Sequence, residues 1–305
     1  MKSLKGIGLL IISNILIYLT LSVTVSVLVN MVLPAFGIDV RGVFSQELLV
    51  WSLVIGFGGA FISLLFSKQM ARAMLDCTQI TEPRSHAEQV IYGSVREIAE
   101  RLQITMPEVW VYESPDPNAF ATGPSKNNAM VAVSTGLLAN LREDEVKAVL
   151  AHEMGHVFNG DMFSTTVLAG LMNTFVHYIS HFVYQLVAQP QGSDREEGQS
   201  GSPILGFVVY LFLQVVLSIL AMMVVSWHSR RREYAADAFS ARVYGKDSMI
   251  KALQAIDRWV NRAQFEYSTQ DALATMKISG TTSGFMHLLA THPPIEERVA
   301  ALERL

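Results

Sequence analysis

Charge and cysteine are what this chain has least of. Asp, Glu, Lys and Arg make up 16% of its 305 residues, against about 25% in soluble domains, and the mean hydropathy is positive, +0.32. The deficit is gathered into long uncharged runs, so part of the chain belongs in lipid. Cys77 is the sole cysteine, which excludes an intrachain disulfide and a thiolate zinc cluster and removes any need for an oxidising compartment. A formal net charge of -4 points to no nucleic-acid partner. No internal repeat is visible.

What is present begins with four stretches long enough to cross a bilayer, which takes about 20 mostly apolar residues. The first has its apolar body at 9–33 and the second runs over 48–67. The third lies between Asp161 and Asp194, and the fourth covers about 203–227. Asn173, His177, Ser180, His181 and Gln185 interrupt the third, so a buried or re-entrant helix is its alternative. The first reads as an uncleaved anchor, because it is too long for a signal-peptide core and no clean small-x-small site follows.

Orientation follows from the flanking Lys and Arg. Lys2 and Lys5 precede the first stretch, Lys68, Arg72 and Arg84 follow the second, and Arg230, Arg231 and Arg232 follow the fourth. One topology satisfies them all: N-terminus inside, two hairpins, the remainder inside, and the Gly- and Ser-rich 189–202 as a flexible outside loop. The expected divisions are therefore 1–67 as a transmembrane hairpin, 68–161 and 228–305 as two parts of one cytoplasmic domain, and 162–227 as a second hydrophobic hairpin.

Within the polar blocks, Ser85-x-x-Glu88 has the form of a capping box. It opens a helix with an apolar stripe of Val90, Ile91, Val95, Ile98 and Leu102. Residues 109–112 and 130–133 read as strands separated by a loop rich in Pro, Asn and Gly. A helix begins near Asn140, and Met249, Ile250, Leu253, Ile256, Trp259 and Val260 mark another. Helices around a small sheet make an α+β pattern.

The chemistry is concentrated in His152-Glu153-Met154-Gly155-His156. Histidines four apart project from one helical face and can share one Zn²⁺ at about 2.0–2.1 Å. Zinc lowers the pKa of its water toward about 7. Glu153 is the neighbour able to take the proton as that water attacks a peptide carbonyl. A surface histidine pair and a structural metal site are the alternatives. Ala148 and Gly155 leave room beside the histidines for another element. Met162 and Asn159 depart from the metzincin pattern, so a third ligand has to come from further along. Glu233, in Glu233-Tyr234-Ala235-Ala236-Asp237, is the favoured candidate, with Asp237 on the same face to accept a hydrogen bond from a ligating imidazole. A membrane hairpin between them would return Glu233 to the side where Asp161 left. Asp161 is a rival ligand, and Glu233 could instead pair with Arg231 or Arg232. His177 and His181, also four apart, read as buried hydrogen-bonded residues.

The HEMGH helix, the downstream EYAAD and the paired hydrophobic stretches resemble the HtpX family of bacterial heat-shock membrane proteases. These are HExxH gluzincins related to the CAAX prenyl endopeptidases, and the resemblance covers essentially the whole chain. Asn118-Ala119-Phe120-Ala121, followed by the strand at 130–134, is similar to the family's substrate-side strand region, where strand addition holds a peptide by its backbone; a plain turn and core strand is the alternative. His292-Pro293-Pro294, with Arg298 a turn later, is similar to the family's HPP motif. His292 could donate to an oxyanion or cap the last helix, with Pro294 in its first turn; Arg298 is a further candidate for substrate or transition-state contact.

The resemblance implies an α+β membrane protein: a mainly helical zincin-like metalloprotease domain with a small sheet and four predicted transmembrane helices in two hairpins, binding one Zn²⁺ per subunit. It implies ATP-independent cleavage of misfolded or damaged membrane proteins, in stress-related quality control at the bacterial inner membrane, with the active site on the cytoplasmic side. A CAAX-type processing protease and a membrane scaffold with structural zinc are the alternatives. The first needs a larger chamber of helices, and the second has no use for Glu153. One departure concerns the catalytic helix: many relatives cap it with Ser or Thr where this chain has Arg142, and Asn140 with Glu143 could substitute.

Overall fold

The structure is a computed structural model and describes residues 31, 34, 46–188, 202–270 and 288–305. Its described elements run α1 (Gln46–Leu65), α2 (Ser67–Leu75), β1 (Thr78–Gln79), α3 (His86–Leu102), β2 (Glu108–Tyr112), β3 (Ala119–Ser125), β4 (Asn128–Ser134), α4 (Thr135–Asn140) and α5 (Glu143–Asn159). They continue with α6 (Asp161–Ala188), α7 (Pro203–Tyr244), α8 (Lys246–Gln270) and α9 (Ile295–Glu303). Two compact units result.

One unit holds the described residues up to Phe61 together with Val167–Met222. α1 and the first part of α7 are apolar nearly all round, as a membrane requires, while α6 carries several polar side chains. Small residues let them approach: a Cβ on Gly56 would lie 2.3 Å from Thr174 Oγ1, and one on Gly170 2.5 Å from the Phe57 ring. Leu48, Leu49 and Tyr178 form its buried cluster, while Trp51, Val54, Phe207, Leu211, Phe212 and Val215 face outward.

Among the described residues two helices are long and apolar enough to cross a bilayer, Glu47–Leu65 and Pro203–Tyr244. Of the four membrane helices expected, two are found among the described residues. All of the stretch at 9–33 except Met31, and most of the loop at 189–202, lie outside the described residues, and α6, an unbroken 28-residue helix, is not one of those two. His177 Nδ1 meets Ser52 Oγ at 3.1 Å, and the His177 and His181 rings stack at 6.0 Å. His181 also meets the edge of Tyr210. Both rings are half-buried, and these contacts lie within the unit.

The other unit holds Ile62–Thr166 and Met223–Leu305. Its sheet has the order β1-β2-β4-β3. β2 and β4 run parallel, and β1 and β3 flank them antiparallel. β4 is buried along almost its whole length. α3 and α5 cover the sheet with Ile91, Val95, Ile98, Leu150 and Met154, all packed on Val109, Val131 and Val133. Each such side chain contributes about 1.5–3 kcal/mol on leaving water. A second cluster joins Ala148 of α5 to Met249 and Leu253 of α8 and Leu302 of α9.

Two local expectations are corrected. The supposed loop between the strands contains β3, an edge strand. Gly123 and Pro124 give it the look of a turn, but an edge tolerates Pro, and the register slips between Thr122 and Ser125 where they sit. The helix that carries His152 and His156 starts at Glu143 with Arg142 as its N-cap. The Glu145 carboxylate accepts from the Arg142 backbone N–H at 2.8 Å. The Asn140 amide is engaged elsewhere, donating to the Gly136 carbonyl. The capping box at Ser85 and Glu88 forms as its residues suggest.

Candidate active site

α5 carries His152 and His156 one turn apart, and α7 comes against it through small contacts. Gly155 faces Phe239, whose ring a Cβ would meet at 3.2 Å, and Ser240 Oγ donates to the Ala148 carbonyl at 2.6 Å. Glu233 and Asp237, one turn apart on α7, thereby face the histidines. Gly160, at φ +70°, ends α5 in the left-handed region and lets α6 start at once with Asp161.

The Nε2 atoms of His152 and His156 lie 3.2 Å apart. Glu233 Oε1 is 3.2 Å from His156 Nε2, and Glu233 Oε2 is 3.5 Å from His152 Nε2. A tetrahedral zinc with ligands at about 2.0–2.1 Å spaces them by about 3.3–3.4 Å, so the triangle has the right size. Glu233 Oε2 is also buried without a well-formed hydrogen bond, and positively charged or titratable groups surround it. Among the described residues these three form the group of His and carboxylate side chains able to hold a metal.

Each histidine is held from behind at Nδ1. Asp237 Oδ1 lies 2.9 Å from His152 Nδ1, and Asp161 Oδ2 lies 2.7 Å from His156 Nδ1. Each aspartate is held in turn by an arginine. Arg298 donates to Asp237 through Nε at 2.8 Å and Nη2 at 2.6 Å. Arg232 reaches Asp161 Oδ2 at 3.0 Å and also donates to the Asp161 carbonyl and Ser164 Oγ. Asp161, weighed from the sequence as a rival ligand, therefore addresses the wrong nitrogen for that task. Arg232 pairs with Asp161 rather than with Glu233, and Arg231 lies over the Trp227 ring.

Arg298 is 8% exposed and bonded to Asp237, with Glu233 Oε2 3.2 Å away. His292 is 66% exposed, with Nδ1 2.9 Å from Glu233 Oε2. The chain before it is tied to α7, where Ser226 Oγ donates to the Leu289 carbonyl and Arg230 to that of Ala290. It caps nothing, since α9 has Pro294 as N-cap with no side-chain bond. Asn118 enters β3 with its N–H on Ser134 Oγ. Ala119 and Phe120 pair with Val133 and Ala132.

The charges are strongly coupled. Burial alone would depress His156, but hydrogen bonds to Asp161 and Glu233 raise it to about 10. His152 is raised in the same way, burial being outweighed by Asp237 and Glu233. Burial would raise Glu233, yet polar contacts with His152, His156 and His292 hold it far below the usual carboxylate range. Burial pushes Glu153 up, against the pull of the two histidines and a bond from the Ala121 backbone N–H.

A histidine pair and a buried carboxylate gathered at the size of a metal, in a chain that also has apolar helices of membrane length, are what a membrane metalloenzyme would show. Residues 85–305 match the model of peptidase family M48. The chain is 42% identical over 304 residues to "Protease HtpX homolog" of Methylacidiphilum infernorum, covering 99% of each chain. It is 41% identical to "Protease HtpX" of Escherichia coli O1:K1, over 95% of this chain and 97% of that one. The crystal structure of S. mikatae Ste24p shares the fold, at a TM-score of 0.56 and 20% identity, over 95% of this chain and 65% of that chain. The chain belongs to peptidase family M48. It is a membrane metalloprotease, of a family whose metal is generally zinc.

Proposed function

We propose that the protein is a zinc endopeptidase that cleaves misfolded or damaged membrane proteins at the bacterial inner membrane, with His152, His156 and Glu233 holding the ion and Glu153 as general base. The observation that carries this reading is the triangle of 3.2, 3.2 and 3.5 Å among two Nε2 atoms and one carboxylate. Zinc bound there supplies Lewis acidity, acidifying water and polarising the scissile carbonyl. Glu153, with its pKa raised by burial, is suited to take a proton and return it to the leaving amine near neutral pH. Such a base has no purpose in a structural zinc site, which speaks against the scaffold alternative.

The free edge of β3 offers backbone groups to an extended peptide without regard to its sequence, as unfolded substrates require. His292 is the exposed group beside the carboxylate and a candidate donor to the oxyanion. Asp237 and Asp161 orient the two imidazoles through Nδ1, and Arg298 acts through Asp237. Lys68 and Arg72 after α1, and Arg230, Arg231 and Arg232 on α7, support a cytoplasmic site by the positive-inside rule.

The test is Glu153→Gln. The purified variant should keep a full complement of zinc and lose cleavage of casein; retained proteolysis would remove Glu153 from the chemistry. Glu233→Ala should lower zinc stoichiometry, and an undiminished zinc content would transfer that ligand elsewhere.

A further inference from the structure

The helix that follows the first membrane span is turned the wrong way round for water. Backbone hydrogen bonds from Phe66 to Ile62 and from Met70 to Phe66 carry the last turn of α1 almost directly into α2. Ile62, Phe66, Met70 and Met74 recur every four residues, so they share one face. That face is open: they are 59%, 53%, 49% and 78% exposed. The charged residues point the other way. Lys68 Nζ meets Glu108 Oε1 at 2.6 Å and Asn128 at 2.8 Å. Arg72 pairs with the same glutamate, with its guanidinium 4.6 Å from the centre of the Trp110 ring. Ala71 packs into the cluster of Tyr112, Met130, Ala132 and Phe120. α2 is thus bolted by its charges to the sheet and shows bulky apolar side chains outward, the reverse of a solvated surface helix.

We propose that α2 is an interfacial helix whose outer face, Ile62–Phe66–Met70–Met74, is immersed in the headgroup and upper acyl region of the bilayer. The stripe begins on the last turn of a helix long and apolar enough to span and continues without a break, so lipid is its natural covering. Methionine-rich faces also suit unfolded polypeptide, but such a face has no reason to be continuous with a lipid-facing one. Phe120 of β3 belongs to the cluster that Ala71 joins, so seating α2 in the interface seats the edge strand as well. Resting on the proposed substrate role of β3, this selects peptide bonds close to the membrane surface.

Seating can be measured without catalysis, so its failure and that of the proteolytic reading are separable. In full-length protein carrying Cys77→Ser, Met74→Cys is labelled with bimane and placed in lipid nanodiscs containing shallow spin-labelled lipid. Met70→Cys provides a second position, and Lys251→Cys on the exposed face of α8 is the aqueous control. Quenching several-fold stronger at 74 and 70 than at 251 is expected. Quenching equal to the control would overturn the proposal. So would weak lipid quenching with an emission change on adding casein to the Glu153→Gln background, which would assign the face to polypeptide.

Discussion

Replacing Asp161 by Asn should separate holding the metal from holding the fold. The Asp161 carboxylate contacts His156 Nδ1 at 2.7 Å and orients the nitrogen opposite for a metal. Changes to such a group typically cost 10–100-fold in metal affinity, which is about 1.4–2.7 kcal/mol. Arg232 is not stranded, because it still donates to the Asp161 carbonyl at 2.7 Å and to Ser164 Oγ at 2.6 Å. The metal-free protein should therefore lose the His156–Asp161 pair but keep Arg232 bonded, and so lose less stability than a variant that also strands its arginine. Asp237→Asn is the contrast. Arg298 spends its 2.8 and 2.6 Å bonds on that carboxylate, and uncovering one partner of a buried pair costs about 3–5 kcal/mol. Its nearest alternative, Glu233 Oε2 at 3.2 Å, would be drawn from the metal. Asp237→Asn should thus lower both zinc affinity and thermal stability. The assays are zinc competition against a chromophoric chelator and thermal melting of the EDTA-treated protein in detergent. Wild-type zinc affinity in Asp161→Asn would refute the reasoning. So would a loss of metal-free stability equal to that of Asp237→Asn.

Two further outcomes follow from the same geometry. His156 is raised to about 10, so in the metal-free protein its ion pairs stabilise fully below its unfolded pKa of about 6.5. That contribution fades as pH climbs toward 10, while zinc needs the imidazoles neutral. The gap in melting temperature between zinc-loaded and EDTA-treated protein should therefore widen from pH 6 to pH 9; a constant gap would contradict the coupling. Gly136 is the other case, since a Cβ there would lie 2.2 Å from the Pro115 carbonyl oxygen, in the turn that leads into β3. Gly136→Ala should cost about 1–3 kcal/mol by overpacking. It should raise KM for a peptide substrate more than it weakens zinc binding, read by steady-state kinetics beside the chelator assay.

Much of the site was legible along the chain because its signals are local. The four-residue spacing of His152 and His156, and of Glu233 and Asp237, puts each pair on one helical face whatever surrounds them. The same periodicity marked α3 and α8, and Ser85 with Glu88 marked a cap, since those bonds close within one turn. β3 escaped because Gly123 and Pro124 have the composition of a turn, and only pairing with β4 makes them an edge. Arg142 escaped because an arginine is no ordinary cap, and Glu145 reaches back to its backbone N–H instead.

The residues by themselves determined which side chains the proposed chemistry can draw on, and the helical spacing that presents them, set by backbone hydrogen bonds a few residues apart. Tertiary structure decided which nitrogen each carboxylate meets. Asp161 stands five residues after His156 and could be read as a ligand, yet the left-handed turn at Gly160 sends it to Nδ1 and leaves Nε2 to Glu233. Arg298 reaches Asp237 across 61 residues, through the packing of α9 beside α8. Such contacts depend on shape, on Gly155 admitting Phe239 and on Ser240 reaching Ala148, and no spacing in the sequence encodes the direction from which a distant side chain arrives.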